Sequence, residues 1–112
     1  MKAPKLNRRL QLLSALRTRD DAGGHETTWQ VAGVLWAEVK GRSATAAESA
    51  ELNVAKANYR IIVRGAPEGA ASRPVAGQRF RDGTREFDIL AVTEWDPGLK
   101  YLVCYALEEV AT

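Results

Sequence analysis

One cysteine and one histidine stand among the 112 residues, and that scarcity excludes several chemistries. Cys104 has no intramolecular partner, so no disulfide framework holds the chain. A zinc site built from Cys and His is excluded in practice by the same count. A Ser-His-Asp arrangement would have to recruit His25, which lies in a turn beside Gly24, a poor place from which to position a base. Long apolar runs are missing as well; none approaches the roughly 20 residues that cross a bilayer. The opening Met1–Arg9 is basic and lacks the apolar stretch of a secretory signal. A protein made and used inside a cell, or in something assembled inside one, is therefore expected. Repeats, low-complexity tails and interdomain linkers are absent too. That leaves one domain, residues 1–112, around one modest core.

Excess charge is also lacking, with a net of only +2. Its distribution is uneven. Residues 1–42 hold eight Lys/Arg against four Asp/Glu, and the remainder holds eight against ten. Such a split suits one end that faces something negative, or that meets a neighbouring subunit's acidic end; an ordinary solvated surface is the plainer alternative.

What the chain does have is punctuation. Apolar stretches are short, and the turns between them are acidic-glycine or proline-glycine. Arg9–Arg19 reads as a strand, Asp20-Asp21-Ala22-Gly23-Gly24 turns it, and Thr27–Val39 returns with two tryptophans. Ala32-Gly33 within that return marks a bulge or bend. Tyr59–Arg64 is a short strand. Asp82-Gly83 joins Gln78–Arg81 to Arg85–Trp95, and Asp96-Pro97-Gly98 joins that to Leu99–Glu109. Strands spaced this way describe a mainly β chain, a small antiparallel sheet that curls into a barrel. Gly65–Gly77 between them is a loop long enough to imply a role or mobility.

Residues 41–58 differ in character. Thr45 and Glu48 have the spacing of a capping box, and Ala46, Ala47, Ala50, Leu52, Ala55 and Ala57 follow. One short helix within a long inter-strand segment is expected. About 12 residues whose buriable face is mostly alanine are marginal as a helix alone in water, so the order of this segment depends on a partner. The last strand raises a related question. Tyr101, Val103, Tyr105 and Leu107 share one face, and Leu102, Cys104 and Ala106 share the other. Both faces need cover; another subunit is the expected source, with residues 43–57 as an internal lid the alternative. Cys104 within that run reads as a small buried hydrophobe.

Catalytic constellations do not emerge. The carboxylate pairs Asp20-Asp21 and Glu108-Glu109 are adjacent in sequence, so on strands or turns they point apart and read as turn and terminal solvation. Arg79-Phe80-Arg81 is the nearest approach to the basic-aromatic interleaving of a single-stranded nucleic-acid-binding barrel, which is the competing functional class.

The order of these elements resembles the phage head–tail joining family. The resemblance rests on Arg17–Gly24, then Thr28-Trp29-Gln30-Val31-Ala32, then Leu35-Trp36-Ala37-Glu38-Val39. It continues with a helical segment over Ser43–Ala57, the exit strand Tyr59–Val63, the triplet Phe87-Asp88-Ile89 and the final strand Leu99–Glu109. It implies a head-completion protein, also called a connector or stopper, in the neck of a tailed phage or of a domesticated phage-like particle such as a gene transfer agent. No enzyme, cofactor or metal is implied. The implied partners are its own copies in a ring of six or twelve, a portal or adaptor ring on the head side, and a tail terminator or tail tube beyond. Packaged double-stranded DNA would occupy the channel, assembly would take place in the host cytoplasm, and no membrane is involved. The compact barrel favours the stopper over the adaptor position. A ring needs unlike patches on each subunit. Trp29, Trp36, Leu52, Tyr101 and Tyr105 are the subunit-interface candidates, although core packing is the simpler reading of both tryptophans. Lys40, Arg42, Lys56, Arg60 and Arg64 are the candidates for facing DNA in the channel.

Overall fold

A computed structural model describes residues 3–46, 54–98 and 100–111. Six strands follow one another along the chain: β1 (Arg8–Arg19), β2 (His25–Ala46), β3 (Val54–Arg64), β4 (Arg79–Asp82), β5 (Arg85–Glu94) and β6 (Tyr101–Ala111). They close into an antiparallel barrel in the order β1-β2-β3-β6-β5-β4.

The turns form where their residue types demand. Asp20 accepts hydrogen bonds on its carboxylate from the backbone N–H groups of Ala22 (3.0 Å) and Gly24 (2.8 Å), and Gly23 adopts a φ of 84°. Gly83, with a φ of 64°, opens the two-residue turn that pairs Asp82 with Arg85; a hairpin this tight requires a left-handed residue there. Asp96 repeats the Asp20 device, accepting from the N–H groups of Lys100 and Tyr101 at 3.1 and 3.2 Å.

Alternation then sorts the side chains. Leu10 and Leu12 of β1, Ala37 of β2, Ile61 and Val63 of β3, Phe80 of β4, Phe87 and Ile89 of β5, and Leu102, Cys104 and Ala106 of β6 point inward as one core. Leu13, which faces the other way from Leu12, is buried as well, as the doubly apolar Leu12-Leu13 pair foreshadows. Burial pushes the Cys104 thiol up to about 12, with Arg73 pulling weakly the other way, so Cys104 is an inert packing residue.

Three bulges bend the sheet. Leu12 pairs with Gly33 and Leu13 with Val31, leaving Ala32 as the extra residue, where the sequence places a bend. Gly41 pairs with Tyr59 and Ser43 with Asn58, leaving Arg42 extra, and Leu90 is extra on β5. Strand β2 thereby serves two partners, β1 with its first half and β3 with its second.

Two expectations are corrected. No helix occurs among the described residues: Thr45 pairs with Lys56 and Ala46 with Ala55 in the β2–β3 ladder, and β3 continues alongside β6. An alanine face offers a helix little to bury, whereas an existing hairpin gains hydrogen bonds with every pair added. Glu48 and Leu52 lie outside the described residues. Nor is 43–57 a lid over the last strand, because its described parts belong to the sheet. The outward-facing Ile62 and Val103 are buried and border a cleft that also holds Ala3, Pro4 and Lys5, so the N-terminal segment supplies cover there.

The Gly65–Gly77 loop is structured. Arg73 donates to the Ala66 carbonyl at 2.9 Å, Gly65 N–H donates to the Lys100 carbonyl at 2.7 Å, and Pro74 is fully buried. It delivers the chain to β4, which closes the barrel on β1 through three pairs, Gln11–Arg81, Leu12–Phe80 and Leu13–Arg79. Phe80 is the inward anchor of that seam. Phe80→Ala is therefore expected to cost about 3 to 5 kcal/mol, read as a lowered urea midpoint in a circular-dichroism titration; a loss below about 1 kcal/mol would show that the seam is not anchored there.

Candidate functional site

Among the described residues, three surfaces stand apart from ordinary barrel exterior: the outward face of β3, the two-stranded β1–β2 ribbon, and the mouth of the barrel beside the β4–β5 turn.

Along β3 the inward residues Tyr59, Ile61 and Val63 leave Lys56, Asn58, Arg60, Ile62 and Arg64 on the other face. Register places Lys40 beside Arg60 and Glu38 beside Ile62, with Tyr105, Val103 and Tyr101 on the β6 side. Four of the five sequence-selected basic residues, Lys40, Lys56, Arg60 and Arg64, therefore share one surface. The fifth, Arg42, is the extra residue of its bulge. Lys40 is 3.7 Å from the Glu38 carboxylate. The Arg64 guanidinium lies 5.9 Å from the Tyr101 ring centre, and Trp95 meets Tyr101 edge-on at 5.3 Å. The Arg60 Nε is buried without an acceptor. Lys5, Lys40, Arg60, Glu38, Trp95 and Tyr105 line a cleft of about 670 Å³ on this face.

On the ribbon, neither tryptophan joins the core. Trp36 is 55% exposed and pairs with Arg9. Trp29 is half-buried, with the Arg79 guanidinium 4.0 Å from its ring centre. Arg79 also donates to Asp88 at 2.6 Å. The core reading of both tryptophans is therefore corrected: the barrel interior is filled by Phe80, Phe87 and the aliphatics, leaving no room for indoles.

At the mouth, Arg85 donates twice to Glu108, from Nε to Oε2 at 2.8 Å and from Nη2 to Oε1 at 3.0 Å, and once to the Tyr59 hydroxyl at 3.0 Å. Its guanidinium sits 5.0 Å from the Phe87 ring centre, and Tyr59 meets Phe87 edge-on at 5.0 Å. Glu108 is 9% exposed at its side chain. This corrects the reading of Glu108-Glu109 as terminal solvation, which holds for the exposed Glu109 alone. Alternation carried the missed signal: Glu108 follows Leu102, Cys104 and Ala106 on the inward face, and an inward carboxylate demands a cation.

The hydrogen bonds from Arg85 hold the Glu108 carboxyl below its ordinary value, against desolvation. A depressed folded value means the contribution is complete above the unfolded carboxylate range and is lost as pH falls through the folded value. Glu108→Gln is expected to cost about 1 to 2 kcal/mol at neutral pH. The deficit should shrink below the ordinary carboxylate range, because wild type alone loses the charge there. Parallel denaturation curves for the two proteins across acid pH would show that the pair does not set the acid limb.

The Arg79-Phe80-Arg81 triplet cannot serve as a stacking platform. Phe80 is wholly buried, and Arg81 is engaged with the Gln11 side chain at 2.9 Å. Arg8, in the basic N-terminal part, pairs with Asp82 of its own chain, so part of the charge asymmetry is satisfied internally.

Comparison with known proteins agrees with this architecture. A protein in a structure described as the virion of a native gene transfer agent particle shares 47% identity at a TM-score of 0.90, over 98% of this chain and 100% of its own. The solution structure of a Shigella flexneri 2a protein matches at 24% identity and a TM-score of 0.67, over 96% of each chain, and shows the fold alone. No curated protein matches the sequence. The model of the phage head completion protein family matches residues 1–110, which is nearly the whole length, and the chain belongs to that family.

Proposed function

We propose that this protein is a structural subunit of the neck of a tailed phage or phage-like particle, a stopper that forms a ring, retains packaged DNA and docks the tail. The observation that carries this reading is the 47% identical, TM-score 0.90 match, along both whole chains, to a protein of a gene transfer agent virion. The role is mechanical rather than catalytic, and its neighbours are other capsid or tail proteins. The competing single-stranded nucleic-acid barrel loses its stacking residue to the core. Heads assembled without this chain are expected to fill with DNA, to lose it to added nuclease and to carry no tails. Nuclease-resistant, tailed particles made in its absence would overturn the proposal.

The DNA-facing part is the outward face of β3 together with the stretch of β2 and β3 that runs past the barrel. Lys40, Arg42, Lys56, Arg60 and Arg64 supply a few cations rather than a dense patch, which suits a pore. Each phosphate contact adds salt-sensitive affinity, and a polyanion that must leave cannot be held by many. On this reading residues 41–58 line the channel and change arrangement when it opens. Crosslinking that segment between neighbouring subunits is expected to leave packaging intact and to block DNA release from complete particles. Release at the normal rate from fully crosslinked particles would place the segment elsewhere.

A further inference from the structure

The β1–β2 ribbon runs beyond the barrel with two open edges. On β1, pairing with β4 ends at Leu13, so from Ser14 to Arg19 this strand is laddered to β2 alone. On β2, pairing with β3 begins at Ala37, so His25–Trp36 is laddered to β1 alone. Among the described residues no other strand covers either edge. Open edges are templates for another strand, and proteins ordinarily guard them with proline, lysine or brevity. Here the β2 edge is twelve residues long and contains neither proline nor lysine. It also carries a row of apolar side chains. The odd spacing of Val31 and Val34 would put them on opposite faces of a regular strand. The Ala32 bulge restores them to one face, with Trp29 before and Trp36 after. Val31, Val34 and Trp36 are 49%, 41% and 55% exposed.

We infer that the β2 edge of one subunit is completed by the β1 edge of a second copy, so that the ribbons join side by side into one continuous antiparallel sheet around the ring. Two features select a second copy as the occupant. The first is direction. Rotation about an axis along the ribbon preserves strand direction, so a neighbour's β1 arrives antiparallel to β2, as the subunit's own β1 does. The contact is heterologous and closes on itself. The second is charge. The open stretch of β1, Ser14–Arg19, carries the exposed Arg17 and Arg19 and no carboxylate, whereas that of β2, His25–Trp36, carries the exposed Glu26 and no Lys or Arg, so the two edges are opposite in net sign. One such contact spans about six residues of β1, an ordinary strand length, and a single strand pairing of that length is marginal in water. Isolated subunits therefore stay apart, and the sheet forms when a ring assembles. The inference rests on the ring reading above and specifies the surface that makes the ring.

The test uses whole particles assembled from two full-length variants, one with the exposed Thr18→Cys and the other with Glu26→Cys, Thr28→Cys or Gln30→Cys in turn, all positions on one face of the ribbon. Cys104 is buried with its thiol pushed up to about 12, so it stays silent under mild oxidation. A disulfide-linked dimer is expected for at least one mixture and for no variant alone. Electron microscopy of the same particle necks separates the failures. If a ring of this chain is present and no mixture links, the edge pairing is overturned and the ring stands. If the cysteines link to a different neck protein, that protein is the occupant and the second copy is overturned. If no ring is present, both readings fall together.

Discussion

Closing six strands into one cycle of hydrogen bonds leaves a seam, and here the seam is short. β4 contributes four residues and meets β1 over three pairs, whereas β1 meets β2 over twelve. Backbone pairing alone is weak support for a closure whose loss would expose the interior. The seam holds because each of its residues does more than pair. Phe80 fills the interior, Arg81 reaches the Gln11 side chain, and Arg79 links Trp29 on one side to Asp88 on the other. The Gly65–Gly77 loop is part of the same constraint. Gly77 donates to the Ile89 carbonyl at 3.0 Å, and Ile89 donates back to the Gln78 carbonyl at 2.9 Å. The register of β4 against β5 is thus set before the seam begins.

A second consequence follows from β2, which is too long for so small a barrel. A straight strand of 22 residues would span some 70 Å at about 3.3 Å per residue, while the whole molecule is 50 Å long. The extra residues at Ala32 and Arg42 bend it, and its ends project at opposite ends of the barrel. One end forms the exposed ribbon with β1; the other continues beside β3 and β6. The two projections differ in how firmly they are set. At the β3 and β6 end, Arg85 ties Glu108 to Tyr59, and its guanidinium lies over the Phe87 ring. A pair this enclosed gives little net stability against well-packed apolar residues, but it fixes the geometry of three strands at one point. The ribbon end has Trp29 under Arg79 and Gln78 bonded to Ser14 at 2.8 Å, and beyond that lies solvent.

The sequence was most legible where local chemistry forces the outcome. Asp20, Gly23, Gly83 and Asp96 each satisfy backbone groups or a left-handed φ that few other residues tolerate, so the turns, and with them the strand count, could be read directly. Ala32-Gly33 was legible for the same reason. Residues 41–58 were not. Alanine is the best helix former, yet a strand that continues an existing ladder gains a partner for every backbone group, and propensity yields to that context. The tryptophans misled in another way. Size suggests core, but the barrel encloses a volume that two phenylalanines and the aliphatics already fill. Glu108 was hidden by its neighbour, since a pair of glutamates near a terminus looks solvated unless strand alternation is followed to the end.

Inertness at the centre has a counterpart at the edges. Among the described residues the interior holds no reactive group: Cys104 is raised out of reach of ionisation, and Glu108 stays ionised with its charge met by Arg85. What stays open is backbone, along β1 and β2, together with apolar side chains that the Ala32 bulge gathers onto one face. Backbone edges suit a ring because they are insensitive to which side chains lie between the bonds and geometrically strict about spacing. Each contact in such a ring is small, so a pair of subunits in solution gains little against the translational and rotational freedom it gives up. A ring of n subunits gains n contacts, and the last subunit to enter makes two of them while losing that freedom once. Assembly of the proposed ring would then be cooperative and would favour a template that already positions the first few copies. The proposed closure would require a barrel rigid enough to hold both of its edges in fixed relation, which returns the burden to the three-pair seam between β4 and β1.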